Sequence, residues 1–214
     1  MTEDKDSYIN HNREYEGDGK LEYEKKVHEQ KNTDNFKFIY QDDIPHGRAL
    51  DIHKDLSVGV DIGGGTSWLS HYLINERSFK MVYSIEPSEA AIDIAKKINP
   101  SKKRNIKYIN GFAEEEIEKL NLDDPTFFST MCCFAHLMDP TVERILKAID
   151  TVAPIGSVLA CSEPWGDVFH RQCWHIRPPE WWSELMPEWE FEFYADAELN
   201  DPPNRHKGFI AIRT

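Results

Sequence analysis

From residue 58 onward, short runs of β-branched and aliphatic residues alternate with stretches whose apolar positions recur every three or four residues. The short runs predict β-strands and the periodic stretches predict helices. The five predicted strands are Val58–Ile62, Met81–Glu86, Ile106–Ile109, Thr126–Cys133 and Ser157–Cys161. Five strand–helix units in succession predict a parallel, doubly wound α/β sheet with right-handed crossovers.

Local sequence signals predict where the helices between these strands lie. They also predict the elements of the tail. Ser88 is a good N-cap for a helix that continues to Ile98, and a further helix is predicted over Thr141–Val152. The tail contains two more strand-like runs, residues 190–194 and 208–213, with no helical pattern between them. We expect these two runs to pair in antiparallel fashion.

The first 57 residues follow a different pattern, with nine Lys and Arg, fourteen Asp and Glu, and few aliphatic side chains. Residues 21–31 carry apolar side chains at helical spacing amid charges, which predicts an amphipathic helix lying on a larger body. Pro45-His46-Gly47 is expected to break any regular element before Arg48–Leu56, which we interpret as a short helix or lid segment. The predicted division is therefore an N-terminal extension, residues 1–57, and a sheet domain, residues 58–214.

The charge of the chain narrows the choice of partner. Its 214 residues include 25 Lys and Arg against 38 Asp and Glu, a formal net charge of −13. A chain of this length forms one domain with an extension and can bury a core without disulfides or a structural metal. The acidic excess repels phosphate backbones and anionic lipids, so we expect neither nucleic acid nor a membrane as partner. A small molecule or a protein fits better, and a homodimer is left open.

Cysteine usage and the N-terminus bear on the compartment. Cys132, Cys133, Cys161 and Cys173 contain no C-x-x-C pair, so they indicate no metal site. The first three lie in apolar strand-like runs, where reduced cysteine packs as a small hydrophobe, which favours a reducing compartment. The N-terminus has no apolar region like that of a signal peptide, and no stretch reaches the ~20 apolar residues of a membrane helix. We therefore expect a cytoplasmic protein.

A glycine-rich segment, Asp61-Ile-Gly-Gly-Gly-Thr-Ser67, follows the first predicted strand at the position where open α/β sheets bind ligands. Glycine lets the backbone approach a ligand closely, although a tight turn that packs a helix onto a strand accounts for the same run. The dinucleotide fingerprint G-x-G-x-x-G is not met, because its third glycine would fall at Trp68. The second strand ends in Glu86, where an acidic side chain can accept both hydroxyls of a ribose.

Together these motifs resemble a known family. Asp61-x-Gly63-x-Gly65 after the first strand, Glu86 at the end of the second and Gly111-x-Ala113-Glu114 after the third are similar to the class I S-adenosylmethionine-dependent methyltransferases. The resemblance covers about residues 58–161 and the two-strand tail. It implies a Rossmann-like, mostly parallel seven-stranded sheet with an antiparallel last strand, methyltransferase activity, and S-adenosylmethionine as cofactor.

The resemblance also implies a set of cofactor-binding positions at the ends of the first four strands. They are Asp61, Gly63, Gly64, Gly65, Glu86, Pro87, Phe112, Ala113, Glu114, Cys132 and Cys133. In this family Asp61 would fix the loop and the amino group of the cofactor, and Glu86 would hold the ribose. Two residues depart from the family pattern. Ser67 stands where a glycine is common, and Phe112 stands where an acidic residue often contacts the adenine. These departures leave open a Rossmann-like binding or scaffold protein without the cofactor.

Methyl transfer to an alcohol requires removal of a proton, and histidine is the usual agent near neutral pH. The candidate catalytic residues are His136, His170 and His175. His136 follows the fourth strand, on the rim where the transferable methyl group should lie, although a residue there also serves to start a helix or to pack. The three histidines show no spacing typical of a metal site, so no metal is expected.

The segment after the fifth strand combines aromatic and basic residues at the edge where the family places its substrate loops. Its candidate substrate-binding residues are Trp165, Arg171, Trp174 and Arg177. Flat apolar faces beside hydrogen-bond donors suit a sugar ring, an anionic metabolite or an aromatic acceptor. The first hypothesis is O-methylation of a sugar or glycan precursor, and the alternatives are N- or carboxyl-methylation of another metabolite. The tryptophans are equally compatible with a core or an interface, and Pro178–Trp182 with the start of a capping helix.

Overall fold

Seven strands form a single sheet in the computed structural model, which describes residues 19–33, 45–98, 105–131, 133–163, 177–194 and 207–214. The strands are β1 (Val58–Ile62), β2 (Met81–Glu86), β3 (Ile106–Asn110), β4 (Thr126–Met131), β5 (Val158–Glu163), β6 (Trp189–Tyr194) and β7 (Lys207–Arg213). Their order is β3-β2-β1-β4-β5-β7-β6. β1 to β5 pair in parallel, and β7 runs antiparallel to both β5 and β6. The predicted fold is therefore confirmed.

Helices cover both faces of this sheet. They are α1 (Lys20–Thr33), α2 (Pro45–Ile52), α3 (Trp68–Asn75), α4 (Glu89–Ile98), α5 (Ala113–Glu116), α6 (Asp139–Val152) and α7 (Pro179–Leu185). One core lies beneath α2 and α3, and the other lies beneath α5, α6 and α7. Phe127 and Phe128 of β4 are both fully buried, one in each core, as expected for a strand that is covered on both faces. No helix in the described ranges is both long and apolar enough to cross a bilayer.

The predicted bounds of β3, β5, β6, β7 and α6 differ from the structure by one or two residues. Two further predictions differ for clear physical reasons. The fourth strand was expected to reach Cys133 but ends at Met131, because the chain turns there into a short 3-10 helix over Phe134–His136. Pro45-His46-Gly47 was expected to break regular structure, yet it forms the first turn of α2. Proline is tolerated there because the first turn of a helix has no internal partner for its N–H groups. The predicted N-cap at Ser88 is confirmed, since its Oγ accepts the N–H of Ala91 at 3.2 Å.

The predicted N-terminal helix is present as α1, but it does not bury the side that its apolar residues suggested. Tyr23 is 59% exposed, whereas Glu24 and His28 are 8% and 4% exposed. A helix can bury polar side chains only where those side chains form hydrogen bonds. The partner here lies in the glycine segment between β1 and α3.

Candidate functional site

The glycine segment forms a tight loop at the carboxyl ends of the parallel strands. A Cβ atom added to Gly63 would lie 2.6 Å from the Sγ of Cys133, and one added to Gly64 would lie 2.5 Å from the Oγ of Ser84. Gly63 and Gly65 also have φ angles of 67° and 52°, in the left-handed region that favours glycine. The loop therefore presents backbone alone to the space beyond β1.

The predicted ribose ligand, Glu86, is only 1% exposed and is joined to the backbone on both sides. Its Oε2 accepts the N–H of Gly65 at 2.8 Å, and its Oε1 accepts the N–H of Ser88 at 2.9 Å. Glu86 thus fixes the glycine loop while its carboxylate stays at the end of β2, where a ribose would need it.

Asp61 ties β1 to the start of α3. Its Oδ2 accepts the hydroxyl of Ser70 at 2.6 Å and the N–H of the same residue at 3.2 Å. Burial raises the pKa of Asp61 to about 6, while the hydrogen bonds from Ser70 act in the opposite direction. This contact holds the first turn of α3, which follows the loop directly, and the predicted roles of Asp61 in fixing the loop and in contacting a cofactor amino group remain predictions.

A row of polar side chains crosses the sheet beneath the loop. Its members occupy paired positions on β3, β2, β1 and β4 and are Tyr108, Ser84, Asp61 and Ser129. Each is hydrogen-bonded to one side chain from the loop or from α2 and α3, in the same order His71, Ser67, Ser70 and His46. The row attaches the loop and two helices to the sheet. Sequence reasoning missed it, because polar residues on separate strands show no common spacing along the chain.

The segment after β3 lies beside the end of β2. Asn110 donates its side-chain amide to the carbonyls of Glu86 and Pro87 at 3.2 and 2.9 Å, and so joins the two turns. Ala113 is buried at the start of α5, directly after Phe112. The predicted positions for ribose and adenine are therefore brought together at this edge, and Asn110 is a supporting residue that the motif did not include.

His136 lies on the exposed rim after β4, in a turn that Arg177 supports. The guanidinium of Arg177 donates to the Asp139 carboxylate at 2.9 Å and to the carbonyls of Phe134 and Leu137 at 2.9 and 2.6 Å. The Arg177 side chain is 3% exposed. Sequence reasoning placed Arg177 in substrate binding, but the structure engages its guanidinium within the protein. We assign it to the support of this turn.

The tryptophans near Arg177 pack as the core interpretation expected. Trp182 is 4% exposed, and its ring stacks on Phe134 at 5.8 Å between centroids. Trp181 is partly buried, and the Arg177 guanidinium lies 5.0 Å from its ring centroid. These residues begin α7, which confirms the alternative that this stretch starts a capping helix.

Several predicted site residues lie outside the described residues. They are Cys132, Trp165, His170, Arg171, Trp174 and His175. Among the side chains that the structure does describe, no group of three or more His, Cys, Asp or Glu could hold a metal ion. The cofactor positions at the ends of β1, β2 and β3 carry the site.

A family model for a methyltransferase domain matches residues 60–161, from β1 through β5. The match covers just under half of the chain and identifies this segment as a methyltransferase domain. The cofactor expected for such a domain is S-adenosylmethionine. The residues of this methyltransferase fit that cofactor, because the loop leaves no room for side chains at Gly63 and Gly64 and Glu86 lies at the end of β2.

Solved structures with this fold are similar to the methyltransferase at low sequence identity. TehB from Haemophilus influenzae has a TM-score of 0.61 at 20% identity, over 79% of this chain and 62% of TehB. This chain thus spans less than two thirds of TehB. A SAM-dependent methyltransferase from Archaeoglobus fulgidus has a TM-score of 0.58 at 13% identity, over 78% of this chain and 90% of its own.

A third structure was solved with SAM bound. It is an amino pentose methyltransferase from Micromonospora echinaspora, with a TM-score of 0.57 at 14% identity over 78% of this chain and 87% of its own. At these identities each likeness is evidence of the fold. No curated protein sequence matches the methyltransferase significantly.

Proposed function

We propose that this enzyme transfers the methyl group of S-adenosylmethionine to a small polar acceptor, with a hydroxyl of a sugar or glycan precursor as the first candidate. The observation that carries the transferase part is the glycine loop held against the buried carboxylate of Glu86. Two features support a sugar-like or anionic acceptor. One is the aromatic and basic composition of residues 165–175, and the other is the amino pentose methyltransferase among the similar structures.

S-adenosylmethionine supplies an activated methyl group on a sulfonium, so the protein mainly has to align the reactants and exclude water. In this chain Gly63 and Gly65 would give the cofactor a backbone surface, and Glu86 would accept its ribose hydroxyls at the end of β2. His136 is exposed on the rim after β4, next to the turn that carries Cys133. From there its imidazole can take the proton that an attacking hydroxyl must lose.

Nitrogen and carboxylate acceptors are the first alternatives. A neutral amine attacks without prior removal of a proton and a carboxylate is already ionised, so neither needs a general base. Loss of the His136 imidazole therefore distinguishes them from a hydroxyl acceptor. Full methylation of the true acceptor by His136→Ala would favour one of these alternatives.

A binding protein that has kept the fold without catalysis is the alternative from another class. It rested on Ser67 and Phe112, where the chain departs from the family pattern. Ser67 has a φ angle of 58°, as a glycine would, and its hydroxyl lies 2.7 Å from that of Ser84. The loop accommodates this departure, which favours the enzyme.

The experiment is an acceptor screen with the full chain and S-adenosylmethionine. Sugars, sugar phosphates, amines and carboxylic acids are offered in separate reactions, and release of the demethylated product, S-adenosylhomocysteine, is measured. We expect turnover with a polar hydroxyl compound, strongly reduced in His136→Ala and unchanged in His53→Ala, which removes a partly buried histidine beyond α2. Cofactor binding without turnover by any class would favour the binding protein.

A further inference from the structure

Two buried polar residues of α1 contact one hydroxyl of the glycine loop. The Oγ1 of Thr66 lies 3.2 Å from the Oε2 of Glu24 and 3.0 Å from the Nε2 of His28. All three residues are less than 10% exposed. Polar groups this deeply buried are costly unless they are paired, so the contact fixes this side of α1 against the loop.

The hydrogen atoms available in this contact determine which groups donate and which accept. A carboxylate only accepts, so the single hydroxyl proton of Thr66 points to Glu24. The Nε2 of His28 must then be the donor to Thr66. Lys20 lies 3.1 Å from the other oxygen of Glu24 and completes a chain that runs from α1 into the loop.

Thr66 stands between two residues that are held by other elements. Gly65 donates its N–H to Glu86 at the end of β2, and Ser67 pairs with Ser84 within β2. Three consecutive loop residues therefore bond to other parts of the protein. Gly65 and Ser67 bond to β2, whereas the side chain of Thr66 bonds to α1. Without the contact to α1, Thr66 would no longer restrain the left-handed backbone of its neighbours Gly65 and Ser67.

We infer that Glu24 and His28 are positioning residues of the cofactor site, which hold the glycine loop through Thr66 in the conformation that binds S-adenosylmethionine. The inference rests on the cofactor of the proposed function and not on the acceptor. By this inference, the N-terminal helix α1 contributes to the cofactor site. Because linkage is reciprocal, a ligand that binds the ordered loop must also stabilise α1.

The first test compares Thr66→Val with Thr66→Ser in the full chain, by calorimetric titration with S-adenosylhomocysteine. Valine keeps the shape but removes the hydroxyl that joins Glu24 and His28 to the loop, and we expect the Kd to rise about tenfold or more. Serine keeps the hydroxyl, and we expect an affinity within about twofold of the unchanged chain. Equal affinity for Thr66→Val and the unchanged chain would overturn the inference.

Double variants separate positioning from general loss of stability. Glu24→Ala and His28→Ala should each weaken binding, and neither should weaken it further in the Thr66→Val background, because they act through that hydroxyl. Glu22→Ala is the matched control, since Glu22 is on the exposed side of α1 and pairs with Lys25. Fully additive effects would count against the inference.

Hydrogen exchange of the unchanged chain covers the case in which a variant fails to fold. Saturation with S-adenosylhomocysteine should slow exchange of the amides of α1 as well as those of residues 63–67. Protection of the loop with unchanged exchange in α1 would contradict the inference. No binding to the unchanged chain would instead refute the cofactor assignment, so the two failures are distinguishable.

Discussion

The carboxylate of Glu86 accepts the backbone N–H of Gly65 at 2.8 Å, across 21 residues of sequence. The same carboxylate accepts the N–H of Ser88 through its other oxygen, so one buried charge organises the glycine loop and the turn before α4. Charge-assisted bonds of this kind are stronger than neutral ones. The residue that would bind the ribose is thus also the residue that shapes the loop beside it.

Glu86→Ala should therefore weaken both S-adenosylmethionine and S-adenosylhomocysteine. We expect a loss of about 10- to 100-fold, because a charged hydrogen bond contributes about 1.5–3 kcal/mol. Calorimetric titration measures it, with Glu89→Ala as control on the exposed start of α4. Unchanged affinity would mean that the ribose site lies elsewhere.

Arg177→Met should destabilise the fold by about 2–4 kcal/mol, because it removes three charge-assisted hydrogen bonds, two of them to carbonyls of the turn, while the Phe134 carbonyl keeps the N–H of Leu137. Denaturant unfolding measures the change. Arg48→Met is the control, because Arg48 and its partner Glu192 are both about half exposed and such pairs contribute less than about 1 kcal/mol. Similar losses in the two variants would contradict the assigned role of Arg177.

Much of the fold could be predicted because its strands are local patterns. The predicted bounds of two strands, Val58–Ile62 and Met81–Glu86, are those of the structure. Each is a mainly apolar run that is followed by a glycine or a proline. The fourth strand was extended too far, because Cys132 and Cys133 are as apolar as the strand before them. Periodicity does not reveal where a buried run turns.

The parts that could not be predicted depend on contacts between distant residues. His46 and Ser129 are 83 residues apart, and their 2.8 Å contact follows from how α2 lies on the sheet. Arg177 looked like a substrate ligand because its partners, 38 to 43 residues earlier, become neighbours only after folding. A charged residue beside tryptophans has the same appearance in a sequence whether it binds a ligand or supports a turn.

The unfolding free energy should depend on pH through His71. Burial, with the nearby charge of His28, lowers the pKa of His71 to about 4 from 6.5. The unfolded chain then binds more protons than the native one between those values, so stability falls as pH drops through this window. The loss assigned to His71 is about 3 kcal/mol, at 1.36 kcal/mol for each pKa unit.

The measurement is denaturant unfolding of the unchanged chain and of His71→Gln at pH 4.5 and 7.5. Asp61 acts in the opposite direction, because burial raises its pKa to about 6, but it is present in both chains and cancels in the difference. The groups that face His71 are His28 and the hydroxyl of Tyr108. A stability difference between the two chains that does not change with pH would show that His71 titrates normally.

Ser67→Ala should cost about 1–3 kcal/mol, because it removes the buried bond to Ser84 while the residue keeps its left-handed φ of 58°. Ser67→Gly loses the same bond but relieves about 1 kcal/mol of backbone strain, so the loss should be smaller. Ser78→Gly, at a φ of 59° outside the site, is the control and should stabilise the chain. Denaturant unfolding ranks the three variants, and an alanine variant as stable as the glycine variant at residue 67 would be inconsistent with this account.

The central claim is that the glycine loop and Glu86 form a site for S-adenosylmethionine. Calorimetric titration of the full chain with S-adenosylmethionine and with S-adenosylhomocysteine tests it most directly. We predict saturable binding of both ligands to one site, weakened in Glu86→Ala. Absence of heat for either ligand, at micromolar protein and millimolar ligand, would contradict the claim.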